Sequence, residues 1–223
     1  MVSQPAGRPA SRDRLLEAAA REFAARGFDG ATVDRIARRA GVNKAMLYYH
    51  FRSKADLYRT ILRALFHDVA RAVEGVRDAG GPADRQVERF AAAVAAQALA
   101  RPHFPGIWLR ELADGGRQLD ARIVGELRRV IVVLAGMLQD GRRQGIFRDA
   151  PPFLTHLTIV APLLLFTASA PIRTRFARAF PHRSGHAPPA DALRFVQDVT
   201  LAALRRDAGR RPNPGRRDSK QPC

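Results

Sequence analysis

The chain has 223 residues, 46% of them hydrophobic, which is enough for one or two packed domains and excludes a disordered chain. Lys and Arg number 38 against 21 Asp and Glu, a formal charge of +17, so an anionic partner such as nucleic acid or a membrane surface is the first expectation. The one cysteine, Cys223, excludes an internal disulfide framework or a thiolate metal site and agrees with a reducing, cytoplasmic setting.

In chain order, residues 1–10 read as a flexible arm with no apolar core of signal-peptide length. Ser11 is placed to cap a first helix whose apolar positions Leu16, Ala19, Ala20 and Phe23 recur at three and four residues. Gly27 closes it and Phe28 folds back on the stripe. Thr32 caps a second helix with Val33, Ile36, Ala37 and Ala40 on one face, and Gly41 supplies a left-handed residue for a sharp turn. Asn43 caps a short third helix that carries Leu47 inward, and Ser53 a long fourth through Leu57, Ile61, Leu65 and Val69. Beyond it the periodicity and the breakers predict helices near 83–100, 104–113, 118–144, 152–169 and 190–206. No run alternates with a period of two, so the fold class is all-α: an N-terminal helix-turn-helix domain over 11–56 and a helical effector-binding and dimerisation domain over 57–206. Residues 207–223 read as a flexible basic tail among Gly209, Pro212, Pro214 and Gly215.

Two short helices joined by Ala40-Gly41-Val42-Asn43, with Ile36, Ala37, Val42 and Leu47 turned inward, have the spacing of a helix-turn-helix. The apolar set locks the helices together and leaves Lys44, Ala45, Tyr48 and Tyr49, flanked by Met46, on an outer face that fits a groove about 12 Å wide. The competing reading is an ordinary helical hairpin. In it Met46 is core, Tyr48 packs on the first helix and His50 caps its own, while Arg35, Arg38 and Arg39 form a solvated face.

The run from Thr32 to Leu57, with its Gly41-Val42 turn, its Leu47-Tyr48-Tyr49-His50-Phe51 segment and its Ser53-Lys54-Ala55-Asp56-Leu57 helix start, resembles the DNA-binding domain of the TetR family of bacterial transcriptional regulators. The resemblance covers about residues 11–60 and implies a cytoplasmic, homodimeric, ligand-responsive regulator, a repressor released from a palindromic operator. Carried onto this sequence, it assigns phosphate contacts to Thr32, Tyr48, His50 and Lys54, with Asn43 at the helix start, and base contacts to Lys44, Ala45, Met46 and Tyr49.

Reading a palindrome needs two heads about 34 Å apart, so the body is expected to dimerise. Leu157, Ala161 and Leu164 on one helix and Leu193, Val196, Thr200 and Leu204 on the last mark the seam, unless those stripes are intrachain core. For a small, largely apolar effector, Phe104, Trp108, Leu112, Phe153 and Phe166 are expected walls, and His103, Arg110 or His156 polar anchors; plain core is the alternative. Arg110 and Glu111 otherwise make surface pairs.

The uncharged stretch from Ala150 to Ile172 is broken by Pro151, Pro152, Pro162 and Pro171, which argues against a membrane span. No phosphate loop, serine elbow or His-Glu-x-x-His run is present, so neither a catalytic site, a cofactor nor a metal is expected. His182 and His186 lie among prolines and glycine that disfavour a metal-binding helix. The alternatives are a nonspecific basic DNA-coating protein and, less well supported, an all-helical enzyme.

Overall fold

Three of the four polar residues that the sequence offers as caps start helices. The computed structural model describes residues 10–179 and 187–205, the side chains of 177–179 excepted. The described residues form α1 (Ser11–Gly30), α2 (Val33–Ala40), α3 (Lys44–His50), α4 (Lys54–Asp78), α5 (Ala83–Ala100), α6 (Phe104–Ala113), α7 (Ala121–Arg143), α8 (Pro152–Ala168), α9 (Ala170–Ala179) and α10 (Pro189–Leu204), with no strand among them. Thr32, Asn43 and Ser53 each accept a hydrogen bond from the backbone N–H three residues on, which starts α2, α3 and α4. Ser11 is not a cap: α1 starts at it without a side-chain cap, and its hydroxyl is instead 2.8 Å from His50 Nε2.

At Gly27, φ is +71° and the helical path breaks, so Phe28 returns against Phe23 and Tyr58. Gly41 sits at φ +65°, ψ +38°. The Val42 N–H bonds the Ala37 carbonyl and the Gly41 N–H the Arg38 carbonyl, the paired closure of a left-handed helix end.

Two hydrophobic clusters hold the described residues together. The first joins α1 to α4 through Leu15, Phe23, Ile36, Leu47, Phe51 and Tyr58, and runs on into Phe104, Ile107, Ile123 and Leu164. It therefore crosses the boundary expected at residue 57. The second fills the body with Val73, Val87, Phe90, Leu134, Met137, Phe147 and Ile159.

Several expectations are corrected by burial. Leu164, Val196, Thr200 and Leu204, expected at the dimer seam, are buried inside the chain and Leu193 is half-buried; Leu157 and Ala161 are exposed. The α8 and α10 helices carry apolar residues on two faces each, and periodicity does not say which face meets the chain's own core. The outward face holds Phe153, Leu154, Leu157 and Leu165 on α8 and Phe195 and Val199 on α10. The helix α9, bent away from α8 by 62°, was not expected, and no single helix among the described residues is long and apolar enough to cross a membrane. The 1–10 arm up to Pro9, the tail from residue 207 and the pair His182 and His186 lie outside the described residues.

Candidate nucleic-acid interface

In the seven-residue α3, Leu47 is fully buried, so the opposite side is turned to solvent. Tyr49 is 82% exposed, Tyr48 49% and Met46 37%. Lys44 and Ala45 are exposed beside them. Lys44 Nζ lies 3.1 Å from the exposed Asp34 carboxylate of α2, a solvated pair that leaves the ammonium on the outer surface. Asn43 Oδ1 accepts from the Met46 N–H at 2.8 Å, so Asn43 is spent on starting the helix. Thr32 Oγ1 does the same for the Arg35 N–H at 3.4 Å.

The ends of α3 are tied down by the other expected phosphate residues. Through His50, whose Nε2 meets Ser11 Oγ at 2.8 Å, the end of α3 is fastened to the start of α1. Lys54 donates to the Phe28 and Ala31 carbonyls at 2.8 and 3.1 Å, and its ammonium lies 4.4 Å from the centre of the Phe28 ring. Two of its three donors thus hold the α1–α2 corner against the start of α4.

The arginines of α2 are not simply a solvated face. Glu22 of α1 is buried, with Arg26, Arg35 and Arg39 placed around its carboxylate at 3.0, 2.8 and 3.6 Å. A buried carboxylate needs such partners, and together they fix α1 to α2.

Glu111 is likewise buried and not a surface partner of Arg110. Its Oε2 accepts from the Tyr58 hydroxyl at 2.9 Å and its Oε1 from the Gln118 N–H at 2.7 Å. Burial, then the bond to Glu111, pushes the Tyr58 phenol far above its ordinary pKa. Arg110 donates to the Ala24 and Ala25 carbonyls at 3.2 Å, which clips α6 onto the end of α1's regular turns.

Of the expected effector residues, Phe104, Trp108 and His156 meet at a small cavity of about 50 Å3 with Phe66, Val94, Gln97 and Val160. The other five do not reach it. Leu112 and Phe153 face solvent. The Arg110 guanidinium is bonded to carbonyls of α1, and Phe166 lies under the Arg173 guanidinium at 3.7 Å. His103 pairs with Glu17 at 3.6 Å across a separate cleft. The α4, α5 and α7 walls were missed because their lining residues have the periodicity of any core-facing stripe. Among the described residues no group of His, Cys, Asp and Glu has metal-binding geometry.

A short helix fixed across a glycine bend, with its aromatic and basic side turned outward, defines a helix-turn-helix DNA-binding protein. Comparison with known proteins agrees: the family described as "Bacterial regulatory proteins, tetR family" matches residues 15–61. The HTH-type transcriptional repressor SCO4008 of Streptomyces coelicolor is 30% identical over 160 residues, 70% of this chain and 73% of that protein. The HTH-type transcriptional repressor NicS of Pseudomonas putida is 27% identical over 201 residues, 88% and 93% of the two chains. In fold, the chain is similar to the ketosteroid transcriptional regulator KstR2 of Mycobacterium tuberculosis, with a TM-score of 0.68 at 21% identity over 90% of this chain and 98% of that one. The chain belongs to the TetR family and is a DNA-binding transcriptional regulator.

Proposed function

We propose that this regulator works in the cytoplasm as a homodimeric repressor, bound to a palindromic operator and released from it by a small, largely apolar molecule. The observation that carries the reading is the division of α3, with Leu47 buried and Tyr49 exposed, which leaves a rigid aromatic and basic surface free for a major groove. Lys44, Ala45, Met46 and Tyr49 read base edges in this assignment. Thr32 and Tyr48 bond phosphates, and His50, Asn43 and Lys54 hold α3 and α4 at the angle that the backbone requires. The N-terminal four helices are the DNA-reading part and the remainder the sensing and pairing part.

Dimerisation is supported by the outward apolar face of α8 and α10, an area of a kind that monomers rarely leave to water. Release is supported by the contacts of α6. It carries Phe104 and Trp108 at the cavity, and also Arg110 and Glu111, bonded to α1 and to Tyr58 of α4. An occupant that displaces α6 therefore also shifts the base of the reading head.

Selection of bound fragments from randomised duplex DNA, followed by salt titrations on the selected and a scrambled duplex, tests the reading. We expect tight binding to an inverted repeat and weak binding to the scrambled duplex. A single steep salt dependence with no preference between duplexes would replace this reading with a nonspecific DNA-coating protein.

A further inference from the structure

The small cavity between α4, α5, α6, α7 and α8 has a lopsided chemistry. Phe66, Phe104 and Trp108 give it an aromatic side, and among the described residues no charged side chain lines it. Besides the indole of Trp108, two lining side chains carry polar groups, Gln97 and His156. The Gln97 Oε1 already accepts from Arg101 at 2.7 Å, and Arg101 also reaches Asp68. His156 is uncommitted at one end: its Nδ1 is shielded from solvent and has no hydrogen-bond partner among the described residues. Burial lowers its pKa to about 4, so the imidazole is neutral under physiological conditions. An unpaired ring nitrogen at an apolar cavity is an unmet hydrogen bond at a fixed position.

A second space adjoins this one. It is an open cleft of about 310 Å3 between α1, α4 and α6, and Leu65 and Phe104 line both. These two side chains are therefore the partition. The cavity, at about 50 Å3, exceeds a water site of about 10–15 Å3 but falls short of the roughly 150 Å3 in which a benzene ring is known to fit. A ring therefore needs a wall to move, and Phe104, at the partition, has the cleft to move into.

We propose that this cavity takes a compact, uncharged, hydroxylated hydrophobe, a phenol or cyclic alcohol, whose hydroxyl pairs with His156 Nδ1 and whose ring displaces Phe104 toward α1. The inference rests on the effector reading above and adds the chemistry of the ligand. A hydroxyl both donates and accepts, so it satisfies Nδ1 whichever ring nitrogen carries the proton. A carboxylate or an ammonium would be stripped of water against walls that offer no opposite charge. A hydrocarbon of the same shape gains burial but leaves Nδ1 unpaired.

Trp108 is the chain's one tryptophan and lines the cavity, so its emission reports occupancy. The test titrates the full chain with 4-isopropylphenol, with cumene and with 4-isopropylbenzoate, following Trp108 emission and the melting temperature. The phenol is expected to bind about tenfold more tightly than cumene, and the benzoate not to bind. In His156→Phe the phenol's advantage disappears while cumene still binds, and Phe104→Ala raises the affinity of both neutral probes. Equal affinities of phenol and cumene for the unaltered chain, tighter binding of the benzoate, failure of all three at millimolar concentration, or a phenol preference that survives His156→Phe would each overturn the proposal. The three-probe comparison uses no variant, so a misfolded substitution does not leave it undecided. A phenol that binds here yet leaves operator DNA bound counts against the effector reading alone. Release of DNA by a charged compound that leaves Trp108 unmoved counts against the ligand chemistry alone.

Discussion

Gly41 and Gly141 each resist replacement by alanine, for opposite reasons. At Gly41 a Cβ would meet nothing within 4 Å, but φ is +65°, so the cost is backbone strain of about 1–2 kcal/mol. At Gly141 the backbone is helical, and a Cβ would fall 2.1 Å from Cδ2 of the fully buried Phe147. Urea denaturation should therefore find Gly141→Ala the more damaging of the two, and the reverse order would show that Phe147 has room to move. Tyr58→Phe removes the donor to Glu111 Oε2 and leaves a buried carboxylate oxygen unpaired, for a loss of about 1–3 kcal/mol. His156 adds a dependence on pH. The unfolded chain protonates it near 6.5 whereas the folded chain resists until about 4, so between those values the unfolded state binds the extra proton. Stability is complete above the window and falls by about 3 kcal/mol as the pH drops through it. His156→Phe should flatten that part of the pH profile, and an unchanged slope would place the loss on other groups.

At the scale of elements, α3 shows how much a local pattern can say. Its cap Asn43, its buried Leu47 and the bend at Gly41 were each legible, because capping, a single inward residue and a positive φ are local demands. Tyr49→Ala is expected to leave the melting temperature within about 0.5 kcal/mol of stability, since an exposed side chain is removed, yet to erase most of the preference between operator and scrambled duplexes. Intact preference in a gel-shift assay would take Tyr49 out of the reading face. What was not legible is tertiary. Glu111 reads as a surface acid because its burial depends on Tyr58, brought up by α4, and the burial of Glu22 depends on Arg35, brought up by α2, besides Arg26 of its own helix. Lys54 reads as a phosphate contact, and the clasp on Phe28 and Ala31 that the structure holds depends on the packing of α1 against α4. The α8 stripe defeats periodicity because the helix is apolar nearly all round, and α9 was missed beyond the break at Ser169.

At the scale of the whole molecule, the +17 charge gives any duplex a salt-dependent pull, so affinity alone does not identify a specific regulator; spacing does. Two heads reading one inverted repeat multiply their effective concentrations only if the body holds them together. The face available for this is the outer side of α8 and α10. There Phe195 is 70% exposed, next in sequence to the buried Val196. Those two neighbours separate pairing from folding. Phe195→Glu adds charge where the single chain already meets water, so the fold should keep its stability within about 0.5 kcal/mol. A dimer that buries this face would in turn lose its seam. Sedimentation should then show monomer, and binding to a full inverted repeat should fall to that of a half-site, with Tyr49 and the rest of α3 unaltered. Val196→Glu places the charge in the chain's own core and should unfold the protein outright. If Phe195→Glu stays dimeric and binds the full repeat normally, the subunits meet elsewhere and the exposed α8–α10 face needs another occupant.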